Sequence, residues 1–489
     1  MINRVKAAVA QLVGGTGSSS SPWNCPECSL AFQYSRPAFL HLSAEESERA
    51  ADHSTRPILV TGQDRRRQLL PWDTGYAEVI NAGKSVLNED QAAREIVSVE
   101  KRVCKNSTAG KTAKDDVSVG KERDGLQFHY WALFDGHAGA DAAVMAARLL
   151  HLHICEQLRD IVDVLRDGDV PPPISLTSNA GVVTEGGAKS APHQGDWEPP
   201  TDSESRFLLE KEISHEYLVI GAIENAFRQM DQQIEREQSS HGYLGGCCAL
   251  AVVYLLGKIY VANAGDSRAI LIRNGETIPL SNEFTPESER QRLQYLGYLQ
   301  PHLLGNEFTH LEFPRRIQHR EIGRKMLFRD YSMTGWAYKT IEKDDLKFPL
   351  VYGEGKKARV MATIGVTRGL GDHNLKVYCS NIHIKPFLSC IPEVKVYDVA
   401  KYEHGVDDVI VLGTDGLWDV VSDREVADAV IRILSNCEPD NPNRFTMAAE
   451  DLVMRSRGIL KEHGWRLSND RLGSGDDISV FVIPLYGHT

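Results

Sequence analysis

Residues 128–139 read FHYWALFDGHAG, and no other stretch restricts the fold as tightly. The first seven are mostly apolar and read as a strand with both faces covered. That strand is expected to stop at Asp135-Gly136-His137, a carboxylate, a glycine and an imidazole. Residues 407–419, DDVIVLGTDGLWD, repeat the design, with Asp415-Gly416 after an apolar run. Two buried strands that each end in Asp-Gly can bring two carboxylates to one spot. Asp-Gly is also a common turn dipeptide, so either copy alone says little. Two copies, joined by the acidic motifs below, say more.

The chain has 489 residues, 42% of them hydrophobic and 25% charged. That suffices for a sizeable core, in two to three average domains or in one large domain with insertions. A net charge of −12 argues against a nucleic-acid partner, whose footprint is basic. Nine cysteines, no signal peptide and no long apolar run give the expectation of a reduced, soluble, cytoplasmic protein. Cys25 and Cys28 form a lone CxxC, read as a stray pair rather than a zinc site.

Residues 1–64 are expected to be a flexible arm. Within it Ile2, Val5, Val9, Leu12 and Val13 share one helical face. Such a face suits peripheral contact with a membrane surface or docking on the protein's own core. Residues 14–21, GGTGSSSS, form a linker. The main domain is expected over 65–489. It opens with a strand over 75–80. A polar loop at 104–125 precedes the central strand, and a long helix at 140–165 follows it. Residues 168–206, rich in Pro, Gly, Ser and Thr, read as a disordered insertion. A helix at 216–237 resumes the fold.

Residues 247–280 read as a four-strand meander with turns at Gly257-Lys258 and Asn274-Gly275. Asp266 is expected on a tight turn at the mouth of that sheet. Residues 284–358 mix helix and loop. Their basic run at 315–320 reads as solvated surface. Helices are expected at 423–435 and 444–462, and a last strand at 478–485.

The chemistry lies in Glu89, Asp90, Asp135, Asp266, Asp372, Asp415, Asp476 and Asp477, most of them at a strand end or turn beside glycine. Crowded carboxylates are costly to bury, and no Lys or Arg cluster is interleaved with them. Hard divalent cations would neutralise them. An all-oxygen set selects Mg²⁺ or Mn²⁺ over zinc. Two such ions activate a water and support in-line displacement at phosphorus. His137 suits protonation of a leaving alkoxide; the alternative is a histidine that merely starts a helix. A cysteine-dependent phosphatase is excluded, because no cysteine is followed six residues on by arginine.

Six motifs carry a resemblance: NEDQ at 88–91, FDGHAG at 134–139, VANAGDSR at 261–268, TRGLGD at 367–372, GTDGLWD at 413–419 and GDDISV at 475–480. In this order, over about 72–485, the chain resembles the type 2C metal-dependent serine/threonine protein phosphatases, the PPM family. It looks most like the H/J/M branch, and within it the J or zeta form. The resemblance implies an α+β fold, a central sandwich of two antiparallel β-sheets flanked by helices in four αββα layers. It implies hydrolysis of phosphoserine and phosphothreonine in phosphoprotein substrates by a water bridging two Mn²⁺ or Mg²⁺ ions.

By resemblance, Asp135 bridges the ions and the Gly136 carbonyl binds one of them. Asp415 and Asp476 bind the other, and Glu89 acts through water. Asp266 shares a third, weaker site with Asp415. His137 is the general acid, and 284–358 is a long flap beside the site. Two positions depart from the family pattern. Ser85 stands where an arginine usually binds substrate phosphate, with Lys84 beside it as the competing contact. Asp477 stands where asparagine is usual and adds a charge near a metal ligand. The alternative function is a catalytically weak or inactive member that binds phosphoproteins.

Overall fold

A computed structural model describes residues 37–40, 71–82, 84, 88–101, 125–168, 170–175, 211–242 and 245–486. The amphipathic 1–13 segment, the CxxC pair, Ser85, most of the 104–125 loop and most of the 168–206 insertion lie outside them.

The first half of the chain supplies β1 (Gly75–Val79), β2 (Gln91–Val99), β3 (Leu126–His137), α1 (Asp141–Arg166) and α2 (His215–His241). Two hairpins follow, β4 (Gly246–Leu255) with β5 (Lys258–Ala264), and β6 (Arg268–Arg273) with β7 (Glu276–Pro279). Then come α3 (Arg290–Leu299), β8 (Leu370–Gly371), β9 (Glu393–Asp398) and β10 (Val409–Gly413). The chain closes with α4 (Asp415–Trp418), α5 (Asp423–Asn436), α6 (Arg444–Arg457) and β11 (Ile478–Pro484).

The strands form two antiparallel sheets. One is six-stranded, in the order β9-β5-β4-β3-β2 with β8 beside β4; the other is five-stranded, in the order β1-β11-β10-β6-β7. Alternation puts one set of side chains between the sheets: Trp131, Leu133, Leu250 and Val252 from the first, Tyr76, Leu271, Leu412 and Phe481 from the second. The opposite set on the five-stranded sheet, including Ile270, Val411, Val480 and Val482, packs on Val426 and Val430 of α5 and Leu452 of α6. α1 covers the outer face of the six-stranded sheet with α2 packed against it. Each fully buried side chain of this kind contributes about 1.5–3 kcal/mol. The result is the expected αββα order, with both sheets apolar on both faces.

Four expectations need correction. First, 247–280 is not one meander. The β4–β5 hairpin belongs to the six-stranded sheet and the β6–β7 hairpin to the other. Residues 265–267 cross between them. Gly265 makes the crossing at φ 149°, where a Cβ would lie 2.2 Å from the Cβ of Cys248. Second, β3 does not stop at Phe134. It pairs on through Asp135↔Cys248, Gly136↔Cys247 and His137↔Gly246. Gly136 permits this, since a Cβ there would meet the Glu89 carbonyl at 2.3 Å. Third, the 444–462 helix ends at Arg457. Gly458 turns the chain at φ 77°, and a small hairpin pairs residues 459–461 with 464–466. Fourth, the arm over 1–64 includes residues seated in the core. Ala38–Leu40 forms a 3₁₀ turn, and Leu40 is buried between the sheets. The Phe39 ring lies 5.2 Å from Tyr76 and 5.8 Å from Phe481.

The segment after β7 has more order than a mixture of helix and loop. It contains α3 and short strand pairs at Phe308–Thr309 with Phe348–Pro349, Lys325–Phe328 with Ala337–Thr340, and Val351–Tyr352 with Arg359–Val360. Leu293, Leu304, Phe308, Leu350, Val360 and Phe387 form its own apolar core, which also touches Cys248 of β4. The unit therefore runs past 358 to about Leu388. In the basic run, Arg315 pairs with Glu321, and Arg316 lies 3.6 Å over the Phe348 ring. Among the described residues, no helix is long and apolar enough to cross a membrane.

Candidate metal centre

Asp135 projects from β3, Asp266 from the crossover after β5, and Asp415 opens α4 just beyond β10. One oxygen from each lies within 4.8 Å of the others. Both Asp-Gly strands thus deliver their carboxylates to one spot, and the sheet crossover adds a third. Burial pushes the Asp135 carboxyl well above the usual carboxylate range, and the charges of Asp415, Asp90, Asp266 and Asp476 add to it. Burial and the charges of Asp266, Asp476 and Asp419 do the same to Asp415. Asp266 is raised mainly by burial. Three oxygen donors with unmet negative charge fit a hard divalent cation.

The other acids have distinct places. Asp476 acts on Asp135 and Asp415 through its charge, and its own carboxylate pairs with the Lys84 ammonium. A single lysine therefore reaches the acidic residues. Burial works against the charged Lys84, but Asp476, Asp415 and Asp135 together raise its pKa. Lys84 stands in a bend, so strand alternation does not govern where it reaches. Glu89 lies outside the trio; its Oε1 accepts the Gly139 N–H at 2.9 Å. Asp90 is buried, accepts the Thr414 hydroxyl at 2.9 Å, and is raised by burial and by Asp477.

Asp477 turns away from the cluster. It accepts the Asn81 N–H at 2.7 Å, the Asn81 side-chain amide at 3.2 Å and the Glu89 N–H at 3.2 Å. Burial outweighs these bonds and pushes its carboxyl up to about 6. Its role in the fold is to tie the exit of β1 and the entry to β2 onto the start of β11.

Asp372 is not part of the trio either. Its Oδ2 accepts from His137 Nε2 at 2.7 Å. Burial disfavours the imidazolium, but the charge and hydrogen bond of Asp372 outweigh it and raise the His137 pKa. Nε2 is thus the ring nitrogen that Asp372 engages. The Gly371-Asp372 pair is visible in the sequence as a turn, but only the tertiary fold brings it to His137. Asp419, the last residue of the GTDGLWD motif, was also missed. It raises Asp266 and Asp415 through its charge, and the Lys356 ammonium meets it at 2.5 Å.

The family profile described as Protein phosphatase 2C matches residues 197–312 and 348–456. Protein phosphatase 1H of Homo sapiens is 59% identical over 515 residues, covering 99% of this chain and 99% of its own. The Rattus norvegicus 1H protein is 60% identical over 517 residues, with the same coverage. Protein phosphatase 1J of Rattus norvegicus is 55% identical over 519 residues, covering 100% of this chain and 99% of its own.

Proposed function

Because the chain belongs to the protein phosphatase 2C family, in its H/J branch, we propose that it hydrolyses phosphoserine and phosphothreonine in proteins, with Mn²⁺ or Mg²⁺ as cofactor. The observation that supports this most is the convergence of Asp135, Asp266 and Asp415, each with a raised carboxyl pKa. In this reading Asp135, Asp415, Asp476 and the Gly136 carbonyl hold two ions. Asp266 and Asp415 hold a third more weakly, and Glu89 acts through water. Such ions, when bound, lower the pKa of water and offset charge on the transferring phosphoryl group. His137 delivers its proton to the leaving serine or threonine oxygen. An inactive binding protein is the weaker alternative, because every carboxylate of the proposed ligand set is present. The test is hydrolysis of phosphoserine peptides with Mn²⁺ or Mg²⁺ and in chelator. Full activity after exhaustive chelation would overturn the reading.

Lys84, paired with Asp476 at the rim, takes the substrate phosphate where the family arginine is absent. Hydrogen bonds to charged groups contribute about 1.5–3 kcal/mol. Lys84→Ala is therefore expected to raise KM for a small aryl phosphate on the order of tenfold, with kcat little changed. An unchanged KM would remove Lys84 from this role and leave Ser85 as the candidate.

A further inference from the structure

Behind His137 and Asp372 lies a second buried network that the proposed chemistry does not use. Asp231 of α2 is only 5% exposed. Its Oδ1 accepts the Gly371 N–H at 2.8 Å, His373 Nε2 at 3.1 Å and the Lys385 ammonium at 2.7 Å. Lys385 also donates to the Gly371 carbonyl at 2.7 Å. Both polar groups of one peptide-bearing residue, Gly371, are thus gripped by one ion pair. The backbone they grip is unusual, since Gly371 has φ 86° and Asp372 φ 59°. For Asp372, a residue with a Cβ, the left-handed region is unfavourable and needs support from its surroundings.

The same helix makes a second hold one turn pair further on. Gln238 Nε2 donates to the Gly245 carbonyl at 2.7 Å, and that carbonyl also accepts the Asp372 N–H at 2.9 Å. Gly246 lies against the Asp372 carboxylate so closely that a Cβ there would sit 2.4 Å from Oδ2. Gly246 is also the register partner of His137. Every contact therefore converges on one outcome, the direction of the Asp372 carboxylate toward His137 Nε2.

We propose that Asp231 and Lys385 are positioning residues for the leaving-group proton transfer: they clamp Gly371 so that Asp372 holds the His137 ring in its working orientation. This rests on the reading of His137 as general acid. In that step the bond from phosphorus to the ester oxygen breaks. The leaving oxygen takes the proton from His137 and departs as the alcohol, and the ring is left neutral. Water supplies the oxygen and protons that the phosphate product gains.

The test compares two esters under saturating Mn²⁺. Phenyl phosphate has a poor leaving group and needs the proton; 4-nitrophenyl phosphate needs it far less. General acids contribute about 10²–10⁴-fold, and a misdirected acid forfeits part of that. Asp231→Asn and Lys385→Met should each lower the kcat ratio of phenyl to 4-nitrophenyl phosphate about tenfold. His137→Ala should lower it further. Adding Asp231→Asn to His137→Ala should then change the ratio no more, because the clamp acts through the ring. If His137→Ala leaves the ratio at the wild-type value, the general-acid reading fails. If His137→Ala lowers the ratio but neither clamp variant does, or the double variant shows a further drop, the positioning proposal fails. Lys385→Met, with the Asp231 acceptor intact, decides the matter if Asp231→Asn does not fold.

Discussion

Asp415→Asn should abolish turnover and yet make the metal-free protein more resistant to heat. Both effects come from the same carboxylate. In the fold the Asp415 carboxyl is raised well above its ordinary value by burial and by Asp266, Asp476 and Asp419. The folded state therefore holds that proton more tightly than the unfolded chain does. Its contribution to stability is lost as pH rises from the ordinary carboxylate range through the raised pKa. Above the ordinary carboxylate range this difference in proton affinity opposes folding, and asparagine removes that opposition. In chelator the variant should melt at a higher temperature than wild type near pH 8, and the difference should vanish near pH 4. Added Mn²⁺ should reverse the order. A ligand at a hundred times its Kd stabilises by about 2.7 kcal/mol, and the variant loses much of that gain. Loss of a single outer-shell partner costs a metal site about 10–100-fold, so loss of a ligand should cost at least about 100-fold in kcat. Wild-type kcat at saturating Mn²⁺ would reduce Asp415 to a turn residue.

The second large effect concerns the flap. Replacing 284–358 with a short loop should abolish activity on phosphopeptides and on small aryl phosphates together. A cut at 358 separates Val351 from its strand partner Val360. It also removes Leu293, Leu304, Phe308 and Leu350 from a core whose other half, Val360, Met361, Ile384, Phe387 and Leu388, stays behind. Truncating one buried leucine to alanine costs about 2–5 kcal/mol, and this cut deletes several at once. The remaining half brackets residues 367–372, which carry Asp372 to His137. Melting curves and both kinetic assays check this. A well-folded replacement with normal activity on small phosphates would show the flap to be an independent module. We propose that substrate choice lies with its exposed aromatic side chains, among them Tyr295, Tyr298, Trp336 and Tyr338. Single changes there, such as Tyr338→Ala, should raise KM for a protein substrate and spare a small ester.

The sequence made the strands and the trio legible because both rest on local signals. Mostly apolar runs mark β3, β4 and β10; Asp135-Gly136 lies at the end of β3 and Asp415-Gly416 follows β10. The flap strands were not legible, because pieces such as Phe308–Thr309 are too short to show a period of two. The sheet crossover at 265–267 was hidden for the opposite reason. β5 and β6 look alike as buried strands, and nothing local says that they join different sheets. The clamp on Gly371 joins residues 140 and 14 positions away, Asp231 and Lys385, so no spacing rule connects them. The contact of Lys84 with Asp476 spans 392 positions, so no local signal shows it.

The long reach of Asp477 sets a condition on the order of events during synthesis. Its bonds to Asn81 and Glu89 join residues 396 and 388 positions apart. Among the described residues, β11 is the only strand neighbour of β1. The ribosome adds about 5–20 residues per second, so β1 waits roughly 20–80 s for that partner. Until then Asp476 is missing from the acidic centre. A nascent chain stalled between Asp415 and β11 thus carries Asp135, Asp266 and Asp415 without the strand that brings Asp476 beside them.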